Sequence, residues 1–113
     1  ELELLLFLLD QYLDLKEGTY SNSFQSRLLK DPWLKPYTDF ELEKFPSEGK
    51  KKVAVITPAF VSDCLETLEE IAMEGKEDFM EAGGTDYKHI PCMNDNDDWV
   101  AVMVSWINDW KNK

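Results

Sequence analysis

Three glutamates recur at four-residue intervals, Glu66, Glu70 and Glu74, and Asp63 lies just upstream of them. On an α-helix, a four-residue step turns by about 40° and rises ~6 Å, so these carboxylates form one line roughly 12 Å long. A π-turn would straighten the line further. Such a row can draw a divalent cation inward and pass protons outward. Stacked carboxylates are also expected to raise one another's pKa.

Structural explanations compete with that chemistry. In a chain with 23 acidic residues among 113, the spacing alone favours a solvent-exposed acidic face. Like charges four residues apart destabilise a helix by roughly 0.2–0.5 kcal/mol per pair. Asp63, at the predicted start of the helix, is also a good N-cap by residue type.

Other side chains give weaker signals. Trp33 lies in a loop flanked by prolines, where its indole either stacks on a flat ligand or anchors the loop. His89 is the only histidine, so the sequence indicates no Ser–His or Cys–His couple and no multi-histidine metal site. Cys64, at a helix start, is either a thiol whose pKa the helix dipole lowers or a small buried residue.

Helices and strands alternate around these residues. A leucine-rich helix ends near Gly18, and residues 53–56 form an apolar run typical of a strand buried on both faces. The other predicted elements are a strand over residues 20–25, a short helix with Thr38 as N-cap and Glu41 completing a capping box, a long helix from Ser62 or Asp63 to about Ala82, a strand over residues 87–90, and a final helix from Asn94 or Asp95 carrying Trp99, Trp106 and Trp110.

This order, α-β-α-β-α-β-α, predicts a parallel sheet of three strands covered by helices on both faces, a three-layer α/β domain of Rossmann-like type. Ligands of such sheets bind outside the carboxyl ends of the strands, which favours the loops after the first two strands. A chain that opens with a helix lacks the strand to which that helix returns. The 113 residues are therefore expected to be most of one doubly wound domain.

Charge and cysteine content narrow the function classes. The net charge, 12 − 23 = −11, argues against nucleic acid or an anionic membrane as a partner and suits a cation. Two separated cysteines indicate neither a zinc site nor a disulfide scaffold, and a reducing cytoplasm is the default compartment. The leucine-rich start is flanked by acidic residues and is shorter than the ~20 apolar residues of a membrane span.

Several segments resemble the C-terminal domain of ferrochelatase, the terminal enzyme of haem biosynthesis. The residues that carry the resemblance are 23–27 (SFQSR), 32–39 (PWLKPYTD) and, most specifically, 58–71 (PAFVSDCLETLEEI), continued by 79–84 and 87–95. The resemblance covers roughly residues 15–110 in the family's order and leaves the helix over residues 1–14 poorly matched. It implies two similar Rossmann-like domains with the active cleft between them, of which residues 1–113 form a partial C-terminal one.

The activity that the resemblance implies is insertion of ferrous iron into a porphyrin, with release of two protons. Cys64 occupies a position where some members have His and others Cys. The implied site consists of Glu66 as the catalytic group, of Glu66, Glu70, Glu74 and Asp63 on the metal side, and of Gln25, Ser26 and the pocket tryptophan Trp33 as porphyrin contacts.

The resemblance is partial. The family's catalytic histidine, which follows a strand nearer the N-terminus, has no match, because His89 lies elsewhere, and the N-terminal domain is not part of the 113 residues. The isolated chain is therefore expected to be inactive, with porphyrin, Fe(II) and that N-terminal domain as partners. We expect no permanently bound cofactor, no iron–sulfur cluster since no cysteine-rich stretch follows Trp110, a cytoplasmic location and at most peripheral membrane association.

A non-catalytic acidic α/β interaction or regulatory module is the alternative. A receiver-like domain would carry an acidic pair after its first strand and a phosphate-accepting aspartate at the end of a central strand. The strand over residues 53–56 is followed instead by Thr57 and the sequence PAF, which speaks against a receiver.

Overall fold

The computed structural model of the chain describes residues 9–26 and 32–113. Residues 1–8, which hold most of the predicted leucine-rich helix, lie outside this part, as does Arg27 of the segment SFQSR. Residues 9–13, at the end of the predicted first helix, are helical. Within the described ranges, no helix has the length and apolar content that crossing a bilayer requires.

The helices and strands follow one another in nearly the predicted positions. The long helix predicted up to about Ala82 is confirmed, as a π-helix that runs directly into an α-helix, and the chain turns away where Gly83 takes a φ of +104°. In chain order the elements are α1 (Thr38–Lys44), a 3-10 helix (Phe45–Glu48), β1 (Lys52–Val55), the π-helix (Glu66–Glu74), α2 (Gly75–Glu81), β2 (Asp86–His89) and α3 (Asp97–Lys111).

Strands β1 and β2 pair in parallel, with Val53 opposite Tyr87 and Val55 opposite His89. These four side chains are half-buried on the face that packs against the π-helix and α2. No described helix covers the other face, and Ala54 is exposed between the two valines. The prediction that residues 53–56 are buried on both faces is therefore wrong for this chain.

The strand predicted over residues 20–25 is reduced to one isolated bridge. Phe24 pairs with Tyr37, since the Phe24 N–H donates to the Pro36 carbonyl at 2.9 Å and the Thr38 N–H donates to the Phe24 carbonyl at 3.1 Å. Proline has no N–H to donate, so the ladder cannot extend past Pro36. The described residues thus form an α/β fold whose sheet contains two parallel strands.

The core lies between α1, the π-helix with α2, and the covered face of the sheet. Its apolar centre consists of Leu42, Ile71 and Phe79. The Phe79 ring packs directly over Gly84, where any Cβ would overlap the ring. A glycine is therefore needed at that position for the chain to pass from α2 into β2.

Two of the predicted helix caps do not form. Thr38 is the first residue of α1, not its cap, and its hydroxyl donates to Ser23 Oγ at 2.9 Å while Tyr37 occupies the N-cap position. The π-helix begins after Leu65 without a side-chain cap, so the prediction of Asp63 as N-cap is wrong as well. In each case the side chain is bound to another loop.

The N-cap of helix α3 lies two residues after Asn94, the first of the two predicted candidates. Asn96 is the cap, and its side-chain oxygen accepts from the Asp98 N–H at 3.0 Å and the Trp99 N–H at 3.3 Å. The predicted tryptophan spacing is confirmed by an edge-to-face pair of Trp99 and Trp106, with ring centroids 5.8 Å apart. No residue of α3 is buried.

Candidate active site

The predicted row of glutamates follows the π-helix. Glu66 and Glu70 are half-buried and Glu74 is exposed, so burial decreases along the row. Among residues 9–26 and 32–113, no three His, Cys, Asp or Glu side chains are grouped so that they could hold a metal ion. The glutamates are therefore successive single carboxylates and do not form one chelating cluster.

The charge of Glu66 is set by its immediate neighbours. A hydrogen bond from the Cys64 side chain, followed by one from its own backbone N–H, holds the pKa of the Glu66 carboxyl below its ordinary value, against a smaller opposing effect of burial. The expectation that stacked carboxylates raise one another's pKa is thus wrong for Glu66. This carboxylate is ionised at neutral pH, which suits it to accept a proton or attract a cation.

Gln25 and Ser26, the predicted porphyrin contacts, lie directly against the glutamate row. Gln25 Nε2 donates to the Glu66 carbonyl at 3.0 Å, and Ser26 Oγ donates to Glu70 Oε2 at 2.9 Å. Ser26 has a φ of +60°, an uncommon backbone conformation for a residue with a side chain. The loop and the π-helix, 40 residues apart in sequence, form one polar surface.

Trp33 has the loop-anchoring role that its sequence context left open, and the stacking role stays a prediction. Its indole N–H donates to the Gln25 carbonyl at 2.9 Å, which anchors the loop. The ring is still 37% exposed, and an exposed indole can stack on a flat ligand. The same tryptophan therefore ties the Gln25 loop in place and offers an aromatic surface beside it.

A pocket of about 260 Å³ opens between this loop, α1 and the helix that carries the glutamates. Gln25, Ser26, Glu70 and Glu74 line it, whereas Glu66 and Trp33 do not. Pockets that enclose drug-sized ligands usually measure ~300–1,000 Å³. The described residues therefore leave room for a hydrated cation or one edge of a macrocycle, and do not enclose a whole porphyrin.

Asp63 connects the two loops that follow the strands. Its Oδ2 accepts from Asn94 Nδ2 at 2.7 Å and from the Cys92 N–H at 3.2 Å, and its Oδ1 accepts from Thr67 Oγ1 at 2.8 Å. The Asn94 side chain is the main cause that lowers the pKa of Asp63 to about 2. Both oxygens are thus engaged by protein donors, an arrangement that gives no support to the prediction of Asp63 as a metal ligand.

Sequence reasoning did not identify Thr67 and Asn94 as supports of the site. Thr67 is fully buried, and its hydroxyl accepts from the Cys64 N–H at 3.0 Å while donating to Asp63. The four-residue spacing from Asp63 to Thr67 was the available signal, because such residues face each other on a helix. Asn94 had no comparable signal, since its partner is 31 residues away in sequence.

His89 stays apart from the glutamate row. Its Nε2 atom is buried, has no hydrogen-bond partner among residues 9–26 and 32–113, and lies 4.0 Å from Asp63 Oδ1. The ring therefore lies beside Asp63 and the loops that Asp63 connects.

Comparison with known proteins identifies the family. The family model described as Ferrochelatase matches residues 3–110. The chain belongs to the ferrochelatase family. The match begins at residue 3, within the leucine-rich segment, whereas the first motif of the resemblance begins at residue 23. No solved structure matches the chain.

Curated relatives are identical to this chain at about half of the aligned positions. The ferrochelatase of Opitutus terrae is 50% identical over 91 residues, which are 80% of this chain and 26% of the relative. That of Vibrio parahaemolyticus is 50% identical over 100 residues, 88% of this chain and 31% of the relative. A Janthinobacterium ferrochelatase is 52% identical over 97 residues, 86% and 26% of the two chains. This chain thus spans about a quarter to a third of these relatives.

Proposed function

We propose that this chain forms the carboxylate-bearing part of an enzyme that inserts ferrous iron into a porphyrin and releases two protons, with Glu66 as the catalytic group. One observation carries the proposal. The two residues predicted to contact porphyrin, Gln25 and Ser26, hydrogen-bond to the residues predicted to handle metal and protons, Glu66 and Glu70. Residues proposed for porphyrin and residues proposed for metal and protons, from distant parts of the sequence, therefore lie on one surface.

The chemistry requires proton acceptors close to the ring. A free porphyrin carries hydrogen on two of its four pyrrole nitrogens, and both protons leave when the metal enters. Glu66, ionised at neutral pH, takes up a proton at its carboxylate, and Glu70 and Glu74 continue the row toward solvent. A row of single carboxylates suits transfer, because each holds a proton or a cation less tightly than a closed chelating site would.

Binding of the ring periphery supplies energy for distortion of the macrocycle. A planar porphyrin directs its nitrogen lone pairs into the ring, so metallation is faster when the ring is bent and the lone pairs face the metal. Gln25, Ser26 and Trp33 are our proposed contacts at this edge of the ring. Asp63 is left out of the metal-handling set because its oxygens already accept three protein donors.

We further infer that residues 1–113 are a partial C-terminal domain, of three-layer Rossmann-like type, in a two-domain enzyme. The open face of the two-stranded sheet and the relatives' length, about three times that of this chain, support this. The N-terminal domain of the same enzyme would supply the opposite wall of the porphyrin site, so the 113 residues alone are proposed to be inactive. Iron and porphyrin are substrates, and we propose no permanently bound cofactor, no iron–sulfur cluster and a cytoplasmic location with at most peripheral membrane association.

A chimera tests this function directly. The chain replaces the matching quarter of the Opitutus terrae ferrochelatase, and Fe(II) insertion into porphyrin is followed by the change in the porphyrin absorption spectrum. We expect the chimera to insert iron, and Glu66→Gln to lower kcat by at least roughly 100-fold, the usual contribution of a general base. Glu69→Gln, an exposed carboxylate on the same helix, is the matched control and should keep normal activity.

Three results would contradict the proposal. An inactive chimera that still folds would remove the function, and near-normal kcat in Glu66→Gln would remove the site assignment. Iron insertion by the 113-residue chain alone would show that no partner domain is needed. Mixing the chain with a separately produced N-terminal part of the relative should restore a porphyrin spectral shift that neither piece gives alone.

A further inference from the structure

The helix that carries the glutamates changes its hydrogen-bond spacing at Gly75. The Gly75 N–H donates to the carbonyl of Glu70, five residues back, and the chain then continues as the α-helix α2, in which donors reach four residues back. When the spacing changes from five residues to four, the helix passes over one backbone carbonyl as an acceptor. That carbonyl belongs to Ile71, the residue after Glu70.

A tyrosine from the sheet donates to that carbonyl. Tyr87 Oη lies 2.7 Å from the Ile71 carbonyl oxygen. Burial raises the pKa of Tyr87 to about 12, so the hydroxyl keeps its proton throughout the neutral range. Tyr87 is itself held by pairing with Val53 in the sheet and by its ring contact with Phe79, with centroids 5.8 Å apart.

Gly75 leaves room for this contact. A Cβ added at Gly75 would lie 3.1 Å from Tyr87 Oη and 3.1 Å from the Glu70 carbonyl oxygen. The hydroxyl therefore approaches the helix at the position where the spacing changes and where the chain has no side chain.

A continuous α-helix is the alternative conformation of this segment. In it the Ile71 carbonyl would accept from Gly75, and the part of the helix before Gly75 would turn by about one residue, roughly 100°. Glu70 would then leave Ser26, and the Glu66 carbonyl would leave Gln25. The contacts that join the two halves of the candidate site thus depend on the π-helical register.

We propose that Tyr87 is a positioning residue whose hydroxyl, by satisfying the Ile71 carbonyl, holds the π-helical register and thereby aligns Glu66 and Glu70 with Gln25 and Ser26. The structural part of this inference stands on the geometry alone. Its consequence for metal insertion rests on the proposed function.

The hydrogen bond can be observed at a single carbonyl. Residues 71 and 72 form the only Ile–Ala pair in the 113 residues. Labelling isoleucine with ¹³C at the carbonyl and alanine with ¹⁵N therefore gives one cross-peak in an HNCO spectrum of the chain, and it reports the Ile71 carbonyl.

If the register depends on the Tyr87 hydroxyl, the Gly75 N–H should donate to the Ile71 carbonyl in Tyr87→Phe, which keeps the ring and removes the donor. A long-range HNCO spectrum of a sample with ¹⁵N glycine and ¹³C-carbonyl isoleucine should then show a Gly75–Ile71 correlation that the wild type lacks. The Ile71–Ala72 peak itself should move in Tyr87→Phe, because a different donor reaches the carbonyl. Tyr12→Phe, an exposed tyrosine, should leave it in place.

The chimera tests the consequence for activity. Tyr87→Phe should lower kcat for Fe(II) insertion roughly tenfold to a hundredfold, as expected for misplaced reacting groups, while KM for porphyrin stays within about twofold. Absence of the Gly75–Ile71 correlation in Tyr87→Phe, or its presence with unchanged kcat, would overturn the inference. An inactive wild-type chimera would count against the proposed function only, and the HNCO result would still decide whether Tyr87 holds the register.

Discussion

Ser26 Oγ donates to Glu70 Oε2 at 2.9 Å, and this bond joins a loop near the start of the described chain to the middle of the π-helix. Both residues line the pocket between this loop and the helix. A charged acceptor with a neutral donor makes one of the stronger types of hydrogen bond. The serine therefore orients the carboxylate.

Removal of that donor should weaken metal insertion. Ser26→Ala in the chimera leaves Glu70 without its hydroxyl partner, at a cost of about 1.5–3 kcal/mol for a bond to a charged group, which corresponds to roughly 10- to 150-fold in kcat/KM for Fe(II). Steady-state rates at several Fe(II) concentrations measure the change. Ser21→Ala, an exposed serine in the same segment, should stay at the wild-type rate, and an equal loss in both variants would contradict a specific role for Ser26.

The acidic limb of the pH–rate profile should respond to Cys64. The thiol donor stabilises the charged form of Glu66 and lowers its pKa. Cys64→Ala removes the donor, so the pKa of Glu66 rises and the acidic limb of kcat against pH moves to higher pH. Cys64→Ser keeps a donor and should keep the wild-type limb. Coincident profiles for all three proteins would show that the Cys64 hydrogen bond does not set the charge of the catalytic group.

The sequence predicted those parts of the site that repeat along one helix. Four-residue spacing showed the row Glu66, Glu70 and Glu74, and two glycines marked the end of the helix. It could not show that Ser26 and Glu70 meet, because 44 residues separate them and only tertiary packing brings them together. The prediction of Asp63 as N-cap was wrong for the same reason, because its partners Cys92 and Asn94 are about 30 residues away in sequence.

Strand prediction failed where the local pattern is weakest. Residues 53–55 of the apolar run lie in β1, and Ile56 follows it. Residues 20–25 are mostly polar and form one bridge beside Pro36, which has no N–H to continue a ladder. The glutamate spacing alone fits an α-helix, so the sequence did not predict that this helix would be a π-helix. Its register depends on Tyr87, which no helical pattern includes.

The contribution of Asp63 to stability should depend on pH in a defined window. Its pKa is lowered from 3.8 to about 2, chiefly by Asn94, so the folded state binds the proton less tightly than the unfolded state does. The stabilisation is fully present above pH 3.8 and is lost as the pH falls through about 2. Asp63→Asn should therefore lower the urea midpoint at pH 7, and the gap to wild type should close between pH 4 and 2.

Asp95→Asn is the control for that experiment, since Asp95 is an exposed aspartate in the same loop region as Asn94. Its urea midpoint should follow wild type at every pH. A gap for Asp63→Asn that is equally large at pH 7 and at pH 2 would mean that the residue stabilises the fold through packing, independent of its charge.

Gly75→Ala should destabilise the chain although alanine is the better helix former. The new Cβ would lie 2.9 Å from Leu42 Cδ1 and 3.1 Å from both the Glu70 carbonyl oxygen and Tyr87 Oη. The leucine end can shift, but the backbone carbonyl belongs to the π-helix and cannot move without loss of its bond to the Gly75 N–H. Overpacking of this kind costs typically about 1–3 kcal/mol, whereas helix propensity alone would favour alanine by about 1 kcal/mol.

Urea unfolding of the chain measures the sign of the net change in stability for Gly75→Ala. Lys76→Ala, at the exposed next position, should stay within about 0.5 kcal/mol of wild type, and a stabilised Gly75→Ala would show that α1 and β2 approach the helix less closely than these distances require.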